Sequence, residues 1–168
     1  MNNLNRTECL STLLEIKDNI PFFNNLNDNE IVQLVTDIHF LKYKQDEIII
    51  EQGTKDNQIY IIISGGCNVS YRYEESTDQK KKLKFVTVAE LSKKDLFGEI
   101  SVVADMARTA RVISNADGTT LLSIKLDMDN SMINDILVKV YRNFLQEVSK
   151  KILEANRKIH NQTLVGYI

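Results

Sequence analysis

The chain has 168 residues, 43% of them apolar and 26% charged, and its formal net charge at pH 7 is −2. This length suffices to bury a core without disulfide or metal staples, and the small net charge gives no global field that would favour nucleic acid. The longest clean apolar run, Ile59 to Ile63, is far too short to cross a bilayer. We therefore expect one domain with terminal helices, no nucleic-acid partner and no membrane association.

The cysteine content and the N-terminus indicate the compartment. Cys9 and Cys67 lie far apart in the sequence and have no metal-site spacing, which suits a reducing environment. The first residues are polar and rich in Asn, unlike a signal peptide. These features predict a cytoplasmic protein.

The N-terminal part has a helical period. We predict an amphipathic helix over residues 7–16 with Thr7 as its cap, ended by Pro21, the only proline in the chain. Asn27 with Glu30 three residues later forms a variant of the capping box. The helix that this box opens carries an i, i+3, i+4, i+7 apolar face of Ile31, Leu34, Val35 and Ile38.

From Phe40 onward the period changes to two, which is typical of strands. Short β-rich runs follow at Ile48–Ile50, Ile59–Ile63, Cys67–Tyr73, Leu83–Leu91, Arg111–Ser114 and Thr119–Leu126. Turn signals containing glycine separate them, at residues 52–54, 64–66 and 117–118. Many short strands at regular spacing predict a sandwich or a barrel.

The polar stretch of residues 74–84 admits two interpretations. One is a basic patch for anionic lipid or nucleic acid. The other, which we favour, is a solvated hairpin tip whose Lys80, Lys81 and Lys82 are offset by Glu74, Glu75 and Asp78.

After Leu126 the helical period returns. Apolar residues recur with a mean step of about 3.7, which favours a long amphipathic helix over a coiled-coil seam, at Ile133, Leu137, Val140, Phe144, Val148, Ile152, Ala155 and Ile159. A second, weaker stripe contains Tyr141, Leu145 and Leu153. The second stripe either contacts another copy of the chain in a homodimer or folds back on the same subunit.

The residues with the clearest chemistry lie between Phe97 and Val112. Gly98 precedes Glu99 and a short apolar run, and Arg108 follows nine residues after Glu99. A glycine at a helix N-terminus lets backbone N–H groups approach an anion, and a guanidinium can close that site around a phosphate. A carboxylate beside a phosphate fits only where it accepts from a hydroxyl of the same ligand. The stretch therefore predicts a pocket for a small, singly charged sugar phosphate.

This stretch resembles the phosphate-binding cassette of the cyclic nucleotide-binding domain, which occurs in catabolite activator proteins and cyclic-nucleotide-dependent kinases. The matching positions are Phe97, Gly98, Glu99, Ile100, Ser101, Val102, Val103, Arg108, Thr109 and Ala110. The sequence departs from the family pattern at Ala107, where proline is usual, and at Lys94, where glycine commonly precedes the cassette. The resemblance covers about residues 18–126 and implies an α+β, mainly β fold. That fold is an eight-stranded double-stranded β-helix jelly roll with N-terminal helices, a short phosphate-binding helix and a long C-terminal helix.

The resemblance also implies roles for individual residues. Arg108 would clamp the phosphate, Glu99 would accept the ribose 2′-hydroxyl, and Gly98 would allow close approach. Backbone N–H groups would come from Ile100, Ser101 and Ala110. The Ser101 hydroxyl would either donate to the ligand or bond its own backbone.

In the family, a threonine at the position of Thr109 can hydrogen-bond guanine, but it also occurs in domains that respond to cAMP. The sequence offers no second residue that would recognise guanine, so we favour cAMP slightly over cGMP. Val69 and Val88 align with the apolar pocket under ribose and base, although core packing explains either valine alone. Tyr167 either stacks on the base or belongs to a disordered terminus.

The resemblance implies a division into an N-terminal helical segment (1–38), a cyclic nucleotide-binding β-roll (39–126), a C-terminal lid or dimer helix (127–160) and a tail (161–168). The expected function is a non-catalytic regulatory module that binds cAMP or cGMP, repositions its C-terminal helix and signals to an unknown protein partner. The alternative is a ligand-independent interaction or dimerisation module.

Other classes fit the sequence poorly. A jelly-roll metalloenzyme needs clustered histidines, and the two here, His39 and His160, are far apart, so we expect no metal and no enzymatic activity. A helix-turn-helix would need more chain after the long helix.

Overall fold

A computed structural model describes residues 5–77 and 80–165, and it describes only the backbone of residues 75–77, 80–82, 158–159 and 161–165. The α-helices in these ranges are α1 (Arg6–Ile16), α2 (Asp28–Leu34), α3 (Glu99–Val103) and α4 (Asn134–Val165). Short 3₁₀ turns lie at Lys17–Asn19, Pro21–Phe23 and Ser131–Ile133. The strands are β1 (Val35–Tyr43), β2 (Ile48–Ile50), β3 (Gln58–Ser64), β4 (Cys67–Thr77), β5 (Lys80–Leu91), β6 (Leu96–Phe97), β7 (Arg111–Ser114) and β8 (Thr119–Leu126).

The eight strands form two antiparallel sheets of four. One sheet has the order β1-β8-β3-β6, and the other has the order β2-β7-β4-β5. Side chains from both sheets, Tyr60 and Leu121 from the first and Cys67 and Val112 from the second, pack into one buried cluster. A second cluster lies between the first sheet and α1, α2 and α4. The molecule thus has a helical layer, a sheet and a second sheet, and the predicted mainly β fold with helices at both ends is confirmed.

The N-terminal helices begin with capping boxes. Asn5 caps α1: its Oδ1 accepts from the Glu8 N–H at 3.0 Å, and Glu8 Oε2 accepts from the Asn5 N–H at 2.8 Å. The prediction of Thr7 as the cap is therefore wrong, because the reciprocal pair forms two residues earlier. The predicted box of Asn27 and Glu30 is confirmed.

The change from helix to strand comes earlier than Phe40. α2 ends at Leu34 and β1 begins at Val35, so Val35 and Ile38, assigned to the helix face by the sequence, are strand residues. The pairing of β1 with β8 has an irregularity between Val35 and Asp37. A bulge adds a residue on one strand, so Val35 and Ile38 both point inward at a spacing of three that imitates a helical period.

The hairpin of β4 and β5 is longer than predicted. Its strands continue in antiparallel register to the pair Thr77 and Lys80, so residues 74–84 are mostly strand. The side chains of the three lysines lie outside the described part, and the basic-patch interpretation stays untested.

The long helix α4 is anchored through its first half. Ile136, Leu137 and Val140 are buried, and the buried Asn143 Nδ2 donates to the carbonyls of Phe22 at 3.1 Å and Asn24 at 2.7 Å. From Leu145 onward the helix is largely exposed. No helix in the described ranges combines the length and apolar character that crossing a membrane requires.

Candidate functional site

The geometry of the site begins at Gly98, which links β6 to α3. Its φ of +83° lies in the left-handed region that glycine adopts without strain. A Cβ at this position would lie 2.8 Å from Arg108 Nη1 and 3.3 Å from the Gln58 carbonyl oxygen. Glycine is therefore required here for the Arg108 side chain to lie against the backbone.

Arg108 is 3% exposed, and all of its guanidinium N–H donors are engaged. Nε donates to Asp56 Oδ2 at 2.9 Å, and Nη2 donates to Asp56 Oδ1 and, at 2.6 Å, to the Gln58 carbonyl oxygen. Nη1 donates to the Gly98 carbonyl oxygen at 2.7 Å and to Ser101 Oγ at 2.8 Å. Arg108 therefore ties the loop before β3, the start of α3 and the start of β7 into one unit.

The contact with Arg108 lowers the pKa of the Asp56 carboxyl. Burial alone would raise its pKa, but the hydrogen bonds from Arg108 and from the Gln58 backbone N–H, with the charge of Arg108, hold the pKa below its ordinary value. Asp56 is thus the counter-ion that keeps the guanidinium fixed.

The Ser101 hydroxyl bonds its own backbone in this structure, and its donation to a ligand stays a prediction. Its Oγ donates to the Gly98 carbonyl oxygen at 3.2 Å and accepts from Arg108. As the third residue of α3, it also has a backbone N–H with no acceptor inside the helix.

Glu99 is 4% exposed at the first turn of α3. Its Oε1 accepts from Lys151 Nζ of α4 at 2.6 Å. This ion pair joins the cassette to the exposed half of the long helix.

These elements enclose a cavity of about 500 Å³, within the roughly 300–1,000 Å³ range typical of small-molecule sites. All nine predicted site residues line it: Val69, Val88, Gly98, Glu99, Ile100, Ser101, Arg108, Thr109 and Ala110. Val88 is 53% exposed, so core packing does not account for an apolar residue at this position. Val69 is half-buried against the core between the sheets, so core packing does account for it. Their part in binding a ligand stays a prediction.

A larger depression of about 750 Å³ lies beside this cavity, with Ser101 in both walls. Four carboxylates and two lysines line it, which disfavours a phosphate ligand: Asp56, Asp105, Asp127, Asp129, Lys55 and Lys125. The smaller cavity is therefore the candidate site.

Sequence reasoning missed several residues of the site. Asp56 and Gln58 contact Arg108 across about fifty residues of sequence, and no local pattern marks them. The roof of the cavity comes from α4, through Lys151, Glu154 and Ala155. A helical wheel drawn from Ala155, which belongs to the predicted apolar stripe, would have placed Lys151 on the same face.

Two other sequence observations have different outcomes. Lys94 has a φ of +78°, the left-handed conformation that favours the glycine usual at this position. Tyr167 lies outside the described residues, so its stacking role stays untested.

The fold and the site define a β-roll in which α3 and Arg108 face a cavity roofed by a long helix. A family model described as the cyclic nucleotide-binding domain matches residues 40–135, and the chain belongs to this family.

Among curated proteins, the chain is 26% identical over 118 residues to a cGMP-dependent protein kinase isozyme of Drosophila melanogaster, a match that covers 70% of the chain and 12% of that protein. It therefore spans about an eighth of this relative.

Solved structures resemble the fold. A cyclic nucleotide-binding domain from Methylobacillus flagellatus aligns with a TM-score of 0.68 at 18% identity, covering 95% of this chain and 88% of that one. The regulatory domain of Toxoplasma gondii PKA, crystallised with cAMP, aligns with a TM-score of 0.62 at 16% identity, covering 86% and 51%.

Proposed function

We propose that this chain is a non-catalytic regulatory module that binds a cyclic nucleotide, cAMP or cGMP, in the cavity beneath α4. Binding acts through α4 on a partner protein. The observation that carries the proposal is that the cassette residues, among them the buried Arg108 and Glu99, meet at one cavity whose roof is a helix only half anchored to the core.

The phosphate would bind where Arg108 Nη1 meets α3. The fork of Nε and Nη2 is held by Asp56 and the Gln58 carbonyl, which leaves Nη1 as the nitrogen whose acceptors can change. A phosphate oxygen would replace Ser101 Oγ on Nη1 and would accept from the first-turn N–H groups of α3.

The ribose would connect the ligand to α4. Lys151 occupies Oε1 of Glu99, and a 2′-hydroxyl donating to the same carboxylate would compete with Lys151 or join it. Either arrangement changes the free energy of the only described side-chain bond between α4 and the cassette. The ligand would therefore bind with different affinity when α4 is docked over the cavity and when it is displaced. This difference in affinity is what coupling between the site and the helix requires.

The relatives support the binding function alone. The Drosophila protein is named a cGMP-dependent protein kinase, and the matched segment is 12% of its length. The similarity therefore supports the proposal of cyclic-nucleotide binding, and we do not propose protein kinase activity for this chain.

The test is calorimetric titration of the chain with cAMP and with cGMP, with 5′-AMP and 5′-GMP as non-cyclic controls. Replacing the buried Arg108 by Ala should weaken binding by roughly 3–5 kcal/mol, several hundredfold or more. The variant Arg108→Lys keeps the charge without the fork and should bind at least about tenfold more weakly than the parent.

Arg111→Ala is the matched control. Arg111 pairs with Glu51 at 3.0 Å and stacks over Phe85 outside the cavity lining, so its loss should leave nucleotide affinity unchanged. The proposal fails where a folded parent binds neither cyclic nucleotide, or where a folded Arg108→Lys binds as tightly as the parent.

The full engagement of Arg108 favours a second candidate, a ligand-independent interaction or dimerisation module. Each guanidinium N–H already has a protein acceptor, so phosphate must exchange for one. A bound ligand at a hundredfold excess over its Kd stabilises by about 2.7 kcal/mol. A thermal midpoint that does not move with millimolar cAMP or cGMP would favour this candidate.

A further inference from the structure

Gln58 holds Arg108 through its backbone and is itself held through its side chain. It is the first residue of β3, and its carbonyl oxygen accepts from Arg108 Nη2 at 2.6 Å. Its side-chain Oε1 accepts two further hydrogen bonds, from the Tyr60 hydroxyl at 3.0 Å and from Ser123 Oγ at 3.0 Å. Gln58 therefore links the guanidinium to two buried hydroxyls of the first sheet.

The register of the first sheet brings these side chains together. Side chains alternate across a strand, so Gln58 and Tyr60, two residues apart on β3, lie on the same face. Ser123 of β8 is directly opposite Tyr60, so it lies on that face too. Both hydroxyls are on buried residues and need a partner inside the protein, and for both the described acceptor is Gln58 Oε1.

Tyr60 fixes the surroundings of the site in two ways. Its ring stacks on that of Phe97 at a centroid distance of 5.2 Å, and Phe97 comes two residues before the start of α3. Burial, with the nearby charge of Asp56, raises the pKa of Tyr60 to about 12, so its hydroxyl keeps its proton and donates to Gln58 at neutral pH. Tyr60 thus holds Phe97 with its ring and Gln58 with its hydroxyl.

Phosphate binding needs the guanidinium of Arg108 to stay in place while one nitrogen changes its acceptor. Nη1 would exchange Ser101 Oγ for a phosphate oxygen, and Nη2 would keep its bonds to Asp56 and to the Gln58 carbonyl. The side chain of Asp56 is partly exposed and lies in the loop before β3, so it is the less rigid of these two acceptors. The Gln58 carbonyl is therefore the acceptor that sets the direction of Nη1.

We propose that Gln58 is a positioning residue for the phosphate of the nucleotide, an inference that rests on the proposed function. Its carbonyl orients Arg108, and the hydroxyls of Tyr60 and Ser123 fix that carbonyl through the Gln58 side chain. Gln58 is not among the residues that line the cavity, so it acts on the ligand through Arg108. Loss of the two hydroxyl bonds lets the start of β3 shift, and Nη1 is then no longer preorganised for the phosphate.

The experiment is calorimetric titration of the full chain and its variants with cAMP and with cGMP, after circular dichroism has shown that each variant is folded. Tyr60→Phe removes one hydroxyl and keeps the stacked ring, and it should weaken binding about three- to tenfold, the effect of one hydrogen bond. Gln58→Met removes the acceptor and should weaken binding at least as much. Gln58→Glu keeps oxygen acceptors for both hydroxyls and should bind within about threefold of the parent.

A double-substitution cycle separates positioning from a general loss of structure. A lysine at position 108 has no second nitrogen to donate to the Gln58 carbonyl. Tyr60→Phe should therefore change the affinity of the Arg108→Lys variant by less than about twofold. A merely structural effect of Tyr60→Phe would weaken binding equally in both backgrounds.

Tyr43→Phe is the matched control, since Tyr43 packs against the same cluster between the sheets and lies outside the cavity lining. It should keep the parent's affinity. The positioning role is overturned, and the proposed function left standing, by a Tyr60→Phe variant that binds as tightly as the parent, by equal weakening in both backgrounds, or by equal weakening in the control. A parent that binds neither nucleotide overturns both.

Discussion

At the residue scale, the site depends on the buried positive charge of Arg108, which is present without a ligand. Arg108 is 3% exposed and its main counter-ion is Asp56, whose side chain is 41% exposed. A buried guanidinium without a partner is costly, so Asp56 stabilises the fold as well as the geometry of the site. The contribution of Asp56 to stability can be measured by substitution and by its dependence on pH.

We predict that Asp56→Asn lowers the free energy of unfolding by roughly 1–3 kcal/mol at pH 7, less than for a fully buried pair because solvent reaches Asp56. The pKa of Asp56 is lowered in the fold, so its contribution is complete above the unfolded value near 3.8 and is lost as the pH falls through the lower folded value. Urea melts from pH 7 to pH 3 measure this: the gap in unfolding free energy between parent and variant should begin to narrow as the pH falls below about 3.8.

Asp105→Asn serves as the control for that series. Its carboxylate pairs with Lys55 at 2.9 Å but is 87% exposed, so its loss should cost no more than about 0.5 kcal/mol. Equal destabilisation by the two substitutions, or a gap for Asp56→Asn that does not narrow at all between pH 5 and pH 3, would contradict the assigned role.

At the residue scale, sequence carries information where a local motif exists. The spacing within one short stretch predicts that Gly98, Glu99 and Arg108 act together, and the structure brings them to one cavity, while their ligand-binding role stays a prediction. Asp56 and Lys151 escaped because each reaches the cassette from about fifty residues away. Their types, an exposed-looking aspartate and lysine, carry no signal until the fold brings the elements together.

At the element scale, α4 has two halves with different support. The first half buries Ile136, Leu137 and Val140 and is bonded through Asn143 to the turn after Pro21. In the exposed half, the described side-chain bond to another element is that of Lys151 with Glu99. We call residues 134–144 the base of α4 and residues 145–157 its arm. The base is packed on the core, and the described side-chain bond that holds the arm is the ion pair of Lys151 with Glu99.

We predict that Lys151→Met releases the arm and leaves the base in place. The bond joins a charged donor to a nearly buried carboxylate, and its loss should ease opening of residues 145–157 by roughly 1–2 kcal/mol, about tenfold or more in hydrogen exchange. Exchange measured by mass spectrometry should rise in that segment and stay unchanged in residues 134–144.

Lys150→Met is its control, because Lys150 pairs with Glu147 inside the helix and does not contact the cassette. If both variants exchange alike, or if residues 134–144 lose protection together with the arm, the ion pair does not hold the arm.

The two element boundaries that the sequence analysis misplaced have different causes. The bulge between Val35 and Asp37 depends on strand pairing, which periodicity does not encode. Asn5 with Glu8 three residues later carries the same capping-box pattern that predicted Asn27 with Glu30, and this signal was overlooked. The two-residue strand β6 is too short to have a period and was not predicted. β3, β4, β5, β8 and α4 were predicted because their apolar residues repeat several times.

At the scale of the whole molecule, α4 places two surfaces on opposite sides. Leu145 and Glu154 are nine residues apart, about half a turn out of phase at 100° per residue. The side of Glu154 faces the cavity, and the side of Leu145 carries an exposed apolar stripe with Val138, Tyr141 and Leu153. A partner on the stripe would therefore leave the cavity roof in place.

We predict that this stripe joins two copies of the chain. Leu145 is 63% exposed, and burying it with its neighbours would give a helix–helix contact without disturbing the core. Sedimentation should give a mass near twice 19.3 kDa for the parent, and Leu145→Glu should give the monomer with unchanged nucleotide affinity. Ser11→Glu, at an exposed position of α1, should leave the dimer intact. A parent that stays monomeric at high concentration would contradict the predicted dimer, and loss of nucleotide binding in Leu145→Glu would contradict the separation of the two faces.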